Sequence, residues 1–332
     1  MKKIVMVIAC ILLLCGCEKN NTKNEVNVLN WTSYIPYEVI GDFEKETGIK
    51  VNYGTYSSNE ELLAKISSSK EGTYDLIFPS DYMIELMFNK GMLEKIDKEK
   101  FENIDNINPL FLHQKFDTNN DYSIPFLAAT SVIAVNRDLV SDKIESYNDL
   151  LSSKYKNNIV LLDDQRIVIG MALQALGYDM NETDESKVNE AKNWLLKINP
   201  NVKAFDSDSP KTFLITKETS VGIIWNAEAE IAAIENPNIE IIYPKDGFAI
   251  SLDNYAIVKE SKNKENAYKF IDYILRNNIN KKITEEYPYI NTTNENMNLD
   301  YSELYNILKN GTYVENIGPK ISLFDKVWAQ IK

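Results

Sequence analysis

The chain has 332 residues, 49 acidic and 36 basic, for a formal charge of −13, with one histidine and three cysteines confined to the first 17 positions. So acidic a composition excludes a general nucleic-acid binder that works by neutralising phosphates. One histidine excludes a histidine-rich metal site, and the lack of cysteine after Cys17 excludes a disulfide framework, a zinc–cysteine cluster or a cysteine nucleophile in the body.

Met1, Lys2 and Lys3 begin the chain, and Ile4 to Leu14 is an almost unbroken apolar run. It has the length of a signal-peptide core and is short for a bilayer span. Leu14-Cys-Gly-Cys17 follows and resembles a bacterial lipobox. Residues 1–16 are therefore expected to be removed as a signal peptide. Cys17 becomes a lipid-anchored terminus, and residues 17–25 form a polar tether. The mature chain would have 316 residues at a formal charge of −15. One lipidated residue holds a soluble body at a membrane surface through its buried methylenes.

After the tether, periods alternate. Val26 to Asn30 reads as a strand. Pro36 to Thr47 reads as a helix with Val39, Ile40 and Phe43 on one face and Gly48 at its stop. Ile49 to Tyr53 reads as a strand. Asn59 to Ser67 reads as a helix capped by Ser58 or Asn59, with Leu62, Leu63 and Ile66 inward. Asp75 to Phe78 is a third strand, and Asp81 to Asn89 a third helix ended by Gly91. Strand–helix alternation signals a parallel sheet with crossover helices.

A second region starts near Thr130. Ile159 to Leu162 reads as a strand. Ile167 to Leu176 and Asp184 to Ile198 read as helices, with Trp194 packing in the latter. Val221 to Trp225, Ile239 to Tyr243 and Tyr255 to Val258 read as strands, and Asn266 to Leu275 as a helix. Two α/β regions imply a cleft, and ligands of open α/β sheets bind beyond the carboxyl ends of strands.

The residues at those ends are informative. Trp31, Thr32 and Tyr34 follow the first strand. Ser80, Asp81 and Tyr82 follow the third. Asp163 and Asp164 follow the strand at 159. Trp225, Asn226 and Glu228 end the strand at 221, and Asp253 precedes the strand at 255. Aromatic faces attract cations by about 0.5 to 2 kcal/mol each, and carboxylates attract them more strongly. Such a cleft suits a cationic organic ligand. His113 has no obvious acid or nucleophile beside it and reads as structural. Gly-x-Ser-x-Gly, a P-loop, a dinucleotide glycine loop and His-Glu-x-x-His are all missing from the sequence. Paired carboxylates of a glycoside hydrolase have no signature, so Asp163/Asp164 and Glu228/Glu230 stand as candidate pairs.

Asn30-Trp-Thr-Ser-Tyr-Ile-Pro, Phe43-Glu-Lys-Glu-Thr-Gly-Ile-Lys-Val, Thr55-Tyr-Ser-Ser-Asn-Glu-Glu and Tyr74-Asp-Leu-Ile-Phe-Pro-Ser-Asp-Tyr together resemble the spermidine/putrescine-binding proteins of bacterial polyamine ABC importers. The likeness continues in order through Asn120-Asp-Tyr-Ser-Ile-Pro-Phe, Leu162-Asp-Asp-Gln-Arg, Ala204-Phe-Asp-Ser-Asp, Ile224-Trp-Asn, Tyr243-Pro-Lys-Asp-Gly, Asp253-Asn and Trp328-Ala-Gln.

That resemblance implies a periplasmic-binding-protein fold, with two α/β lobes, a hinge and a ligand cleft between them. Residues 26–129 and 254–290 would form the first lobe, and 130–253 and 291–332 the second. It implies a ligand site of Trp31, Thr32, Tyr34, Ser80, Asp81, Tyr82, Asp164, Trp225, Asp253, Tyr287 and Gln330. It implies a polyamine ligand, a permease and its ATPase as partners, a cell-surface or periplasmic location and no catalysis. A monomer without cofactor, metal or nucleic acid is expected.

Three departures stand out. The pattern Asp-Asp-x-Arg-Glu carries a second amine-gripping acid where this chain has Ile167. A tryptophan is replaced by Ser251, and Leu127-Ala128 stands where an aromatic is usual. Asp81 and Glu228 are the candidates to replace the missing acid. Another cationic or neutral solute, or a sensor role, is the alternative reading.

Overall fold

The first β-like run folds as strand β1 (Glu25–Trp31). This computed structural model describes residues 24–294 and 300–332. The expected signal segment, Cys17 and most of the tether lie outside the described residues. Helix α1 (Tyr37–Thr47) buries Val39, Ile40 and Phe43 and stops at Gly48, whose φ of 68° closes the last turn. Strand β2 (Lys50–Tyr56) leads to α2 (Asn59–Ser68), where Ser58 accepts from the Glu61 amide as cap. Leu62 and Ile66 face the core, while Leu63 is only half-buried. Strand β3 (Leu76–Ile77) is shorter than its apolar run, and α3 (Asp81–Asn89) has the bounds the sequence predicts.

The next strand was not evident from periodicity. Strand β4 (Ile124–Asn136) is buried along its whole length. Beyond it come β5 (Ile159–Leu161), α4 (Gln165–Ala175), α5 (Glu185–Ile198), β6 (Val202–Phe205) and α6 (Lys211–Ile215). They are followed by β7 (Val221–Trp225), α7 (Asn226–Glu235) and β8 (Ile239–Ile242). Strand β9 (Ala249–Ile257) begins six residues before the predicted Tyr255. The chain ends with α8 (Lys264–Ile274), α9 (Asn277–Glu286), β10 (Ile290–Asn291), α10 (Tyr301–Asn310), β11 (Thr312–Tyr313) and α11 (Ile321–Ile331).

The strand order is β2-β1-β3-β9-β4-β7-β5-β6. β1 pairs in parallel with β2 and β3, and β5 in parallel with β6 and β7. These two parallel halves are the sheets of two α/β lobes. β4 and β9 join them. β4 pairs antiparallel with β9 from Ile124 to Thr130, then with β7 from Ser131 onward. β9 in turn pairs with β3 at Ala256 and Ile257. β4 is buried on both faces along its whole length, so its sequence loses the period-two alternation of a half-exposed strand.

Each lobe has its own core. Val28, Phe43, Phe78, Phe126 and Phe270 belong to the first. Ile133, Tyr147, Val168 and Trp194 belong to the second, which also takes Phe324, Val327 and Ile331 from α11. The final helix is thereby fixed to the second lobe. Trp194 packs as the sequence implies, with its Nε1 donating to Asn148 Oδ1 at 2.8 Å. His113 sits in an exposed loop at φ 60°, its Nδ1 2.9 Å from the Thr118 carbonyl.

Candidate functional site

All six parallel strands point their carboxyl ends at one cavity of about 550 Å³. From the first lobe, Trp31 to Tyr34 follow β1, Tyr56 to Glu60 end β2 and open α2, and Ser80 and Tyr82 follow β3. From the second, Asp163 to Ile167 follow β5, Ser207 and Asp208 follow β6, and Trp225 and Glu228 lie at the end of β7. Ala129, Ser251 and Asp253 come from the crossing strands. Strand ends gather function because side chains there are positioned by the sheet yet free of its ladder.

Asp253 is the deepest carboxylate of the cavity, at 2 % exposure. Tyr34 donates its hydroxyl to Oδ2 at 2.7 Å, and Ser80 donates to Oδ1 at 2.6 Å. Ser80 is held opposite by an isolated antiparallel bridge between the two residues. Burial pushes the Asp253 carboxyl up to about 6, and the two hydroxyl donors work against that rise. Trp31 and Tyr56 pack beside it as a tilted pair with centroids 4.6 Å apart, and Tyr34 packs at a tilt against Tyr289 at 4.5 Å. Ser33, between them in sequence, holds φ at 58°, a left-handed conformation that folds the loop tightly after β1.

Asp164 caps α4, its Oδ1 accepting from the amides of Arg166 and Ile167 at 2.8 and 3.1 Å. Burial, and then the charge of Glu60, raise its carboxyl to about 6, while the two amides pull the other way. Arg166 is buried behind it. Its guanidinium donates to the Glu315 carbonyl at 2.8 Å and to Asn181 Oδ1 at 2.9 Å, and lies over the Tyr82 and Phe324 rings.

Seven carboxylates line the cavity: Glu60, Asp163, Asp164, Asp208, Glu228, Asp253 and Asp325. Arg166 is the single cationic side chain among the described lining residues. Two of the seven acids are already paired. Glu228 takes Lys211 at 2.8 and 2.9 Å, and Asp163 takes Lys332. With aromatic walls between them, the remaining acids make a site for a positively charged organic group.

The sequence-predicted residues divide. Trp31, Thr32, Tyr34, Ser80, Tyr82, Asp164, Trp225 and Asp253 are brought together around the cavity. Asp81 is not among its lining. It is fully buried beneath, accepting from the amides of Tyr82 at 2.8 Å and Leu252 at 3.3 Å, and burial raises its carboxyl well above the usual range. Tyr287 caps the end of α9 and lies off the cavity, while Tyr289, two positions on, lines it. Gln330 is exposed and points away from the α11 face formed by Asp325, Trp328 and Ala329. Helical residues three and four apart share a face, and Gln330 falls outside that set.

Of the two candidate replacements for the missing acid, Asp81 is sealed off and Glu228 is neutralised by Lys211. Ile167 itself is 3 % exposed, in an apolar cluster with Leu162, Met180, Ala249 and Val314. Of the paired-carboxylate candidates, Asp163 and Asp164 both line the cavity, but Glu230 does not accompany Glu228 there. Sequence reasoning missed Glu60 and Tyr289. Glu60 carries an ordinary signal, an acid in the first turn of a helix, which masks any second role.

The pattern of the family described as bacterial extracellular solute-binding protein matches residues 38–305. The spermidine/putrescine-binding periplasmic protein of Escherichia coli (strain K12) is 39 % identical over 319 residues, covering 93 % of this chain and 92 % of its own. A putrescine/cadaverine-binding protein of Pseudomonas aeruginosa is 30 % identical over 83 % of this chain and 80 % of its own. Among solved structures, the spermidine/putrescine ABC transporter substrate-binding protein of Streptococcus pneumoniae superposes with a TM-score of 0.79 at 31 % identity, over 92 % of this chain and 98 % of its own. A lipoprotein of Treponema pallidum superposes with a TM-score of 0.84 at 25 % identity, over 93 % of this chain and 99 % of its own. The two-lobed arrangement is thus the periplasmic-binding-protein fold.

Proposed function

This chain belongs to the bacterial extracellular solute-binding proteins, and we propose that it captures a linear polyamine, putrescine or spermidine, and delivers it to the permease of an ABC importer. The family is one of solute transport, and the chain's relatives include a spermidine/putrescine-binding periplasmic protein, a putrescine/cadaverine-binding protein and the substrate-binding protein of a spermidine/putrescine ABC transporter. The observation that carries the polyamine reading is the lining itself, seven carboxylates and aromatic walls against one guanidinium. An ammonium end would be met by Asp253, with the methylene chain between Trp31, Tyr34 and Trp225. The other end would meet Asp164. Ligand held from both lobes favours the closed state and so shifts the population toward it.

The lobes are proposed to divide between residues 129 and 130 of β4, one residue before that strand changes partner, and between residues 253 and 254 of β9. Cys17 is proposed as a lipid anchor after removal of residues 1–16, a reading supported by the lipobox-like sequence and by the lipoprotein relative. The protein would act as a monomer at the outer face of the cytoplasmic membrane. Mass spectrometry of wild type and Cys17→Ala from membranes tests the anchor. An unmodified Cys17 overturns it.

Calorimetry of the full-length chain in detergent with putrescine, cadaverine, spermidine, spermine and agmatine tests the ligand class. Heat with at least one of the four alkylamines is expected, and none with any of the five overturns the polyamine claim. A second reading, a different cationic solute on the same site, is favoured by Ile167 and Ser251 in the lining. Tight binding of agmatine with none of the alkylamines would support it.

A further inference from the structure

Glu60 is the second residue of α2 and stands exposed at the rim of the cavity. Its Oε1 accepts from the Tyr82 hydroxyl at 3.1 Å, which holds it on the first-lobe wall. Its neighbour Glu61 is neutralised by Lys65 at 2.7 Å. Across the cleft, Glu228 and Asp163 are paired with Lys211 and Lys332. Among the described residues, Glu60 and Asp164 have no ion-pair partner of this kind. Arg166 is near both, but its guanidinium donates to Glu315 and Asn181.

Asp164 nevertheless responds to Glu60. The charge of Glu60 is the largest electrostatic influence raising Asp164. One acid opens a first-lobe helix and the other caps a second-lobe helix, α4. Two like charges facing each other across a cleft repel, and the repulsion grows as the cleft narrows and water leaves it. A cation between them turns that repulsion into two attractions. Meanwhile the position where the resemblance implies a second acid is apolar, since Ile167 packs against Leu162, Met180 and Val314.

We propose that Glu60 is the second amine-binding acid of this cleft, gripping one ammonium group jointly with Asp164 from the opposite lobe, in the role that Ile167 leaves empty. The inference rests on the polyamine reading above and deepens it. An acid at position 167 would sit on the same helix as Asp164 and bind without regard to the other lobe. Glu60 does not. Its contact with the ammonium exists only when the lobes approach, so occupancy of this subsite is tied to closure.

The test is calorimetry of the full-length chain in detergent with putrescine and with spermidine. The variants are Glu60→Gln, Glu60→Asp, Asp164→Asn and the Glu60→Gln/Asp164→Asn double. Glu60 is exposed, so its substitution should leave the fold intact, and thermal melting of each variant checks this. Glu60→Gln is expected to weaken binding roughly tenfold to a hundredfold, the range of a lost charged hydrogen bond. Glu60→Asp should retain part of the affinity. The double variant should lose distinctly less than the product of the single losses, because both acids act on one group.

Unchanged affinity of Glu60→Gln, in a wild type that binds amines, overturns the inference alone. Losses that multiply independently place Glu60 on a different group and overturn the shared grip. A wild type that gives no heat with either amine overturns the proposed function, and the inference with it.

Discussion

The Tyr34 hydroxyl donates to Asp253 Oδ2 at 2.7 Å and so ties the loop after β1 to a strand that crosses between the lobes. Ser80 takes the other oxygen at 2.6 Å. Both donors are neutral, so they fix the orientation of the carboxylate and leave its charge available. Asp253→Asn is therefore expected to lower polyamine affinity by about a hundredfold or more, as when one partner of a buried charge pair is removed. Tyr34→Phe keeps the charge and loses one donor, an effect of about tenfold. Titration calorimetry of both variants separates the two roles. Equal losses would mean that Tyr34 acts on the ligand directly and not through Asp253.

Affinity and stability should respond to pH in opposite directions. Asp164 and Asp253 are both raised from 3.8 to about 6. An ammonium ligand needs both ionised, so affinity falls as pH drops through about 6, by up to tenfold per unit for each carboxylate. The unliganded fold behaves otherwise. Its raised carboxyls bind protons more tightly than the unfolded chain does. Stability therefore rises as pH falls from about 6 to about 4, and this gain is lost as pH rises back through the folded pKa. Melting curves at about pH 5 and about pH 8, with and without putrescine, test both signs. The ligand-induced shift should be clearly smaller at the lower pH. Equal shifts would mean that these carboxylates do not meet the cation.

The first lobe was largely legible because its elements are half-exposed. The apolar stripe Val39, Ile40 and Phe43 and the stop at Gly48 are local signals, and they bound α1 closely. The crossing strands were not legible for the opposite reason. β4 is buried along its length and shows no alternation. β9 carries Ser251, Asp253 and Asn254 in its middle, and polar residues there look like a loop. They are polar because the strand passes the cavity. At the site, Asp164 was visible through its place at a strand end, whereas Asp253, expected just before a strand at Tyr255, lies in the middle of β9 and reaches the cavity from the crossing strand itself. Tyr289 was hidden by Tyr287, two positions earlier in the same Tyr-Pro-Tyr segment. Glu60 was hidden by its first-turn position, which helix electrostatics alone would explain.

Asp75 separates stability from binding. It is fully buried and lies off the cavity. Oδ2 accepts from the amide and side chain of Asn27, both at 2.8 Å, and from the Asn263 side chain at 3.0 Å. Oδ1 accepts from Ser261 at 2.7 Å and from the Asn263 amide at 3.1 Å. One carboxylate thus joins β1 to the segment between β9 and α8. Asp75→Ala should strand these donors in a dry site at a cost of about 3 to 5 kcal/mol. Chemical denaturation measures that loss. In the fraction still folded, polyamine affinity should stay within about twofold of wild type, since distant sites act independently. A large affinity loss in folded protein would show that Asp75 shapes the cleft.

Ile167→Glu tests whether the cavity wall has settled around an apolar residue. At 3 % exposure, among Leu162, Met180, Ala249 and Val314, a new carboxylate has little water to solvate it. Without ligand it should cost about 2 to 4 kcal/mol, and the acid should resist ionisation. A polyamine changes this balance by supplying a counter-charge. Spermidine, with more amine groups than putrescine, should then raise the melting temperature of Ile167→Glu by more than it raises that of wild type. Its affinity, measured well above pH 6, should be higher as well. Putrescine should gain less, because in the proposed binding mode its two ammonium groups are already assigned to Asp253 and to the Asp164 side of the cleft. Should spermidine stabilise the variant less than it does wild type, position 167 faces methylenes of the bound ligand, and an acid there breaks an apolar contact instead of adding an ionic one.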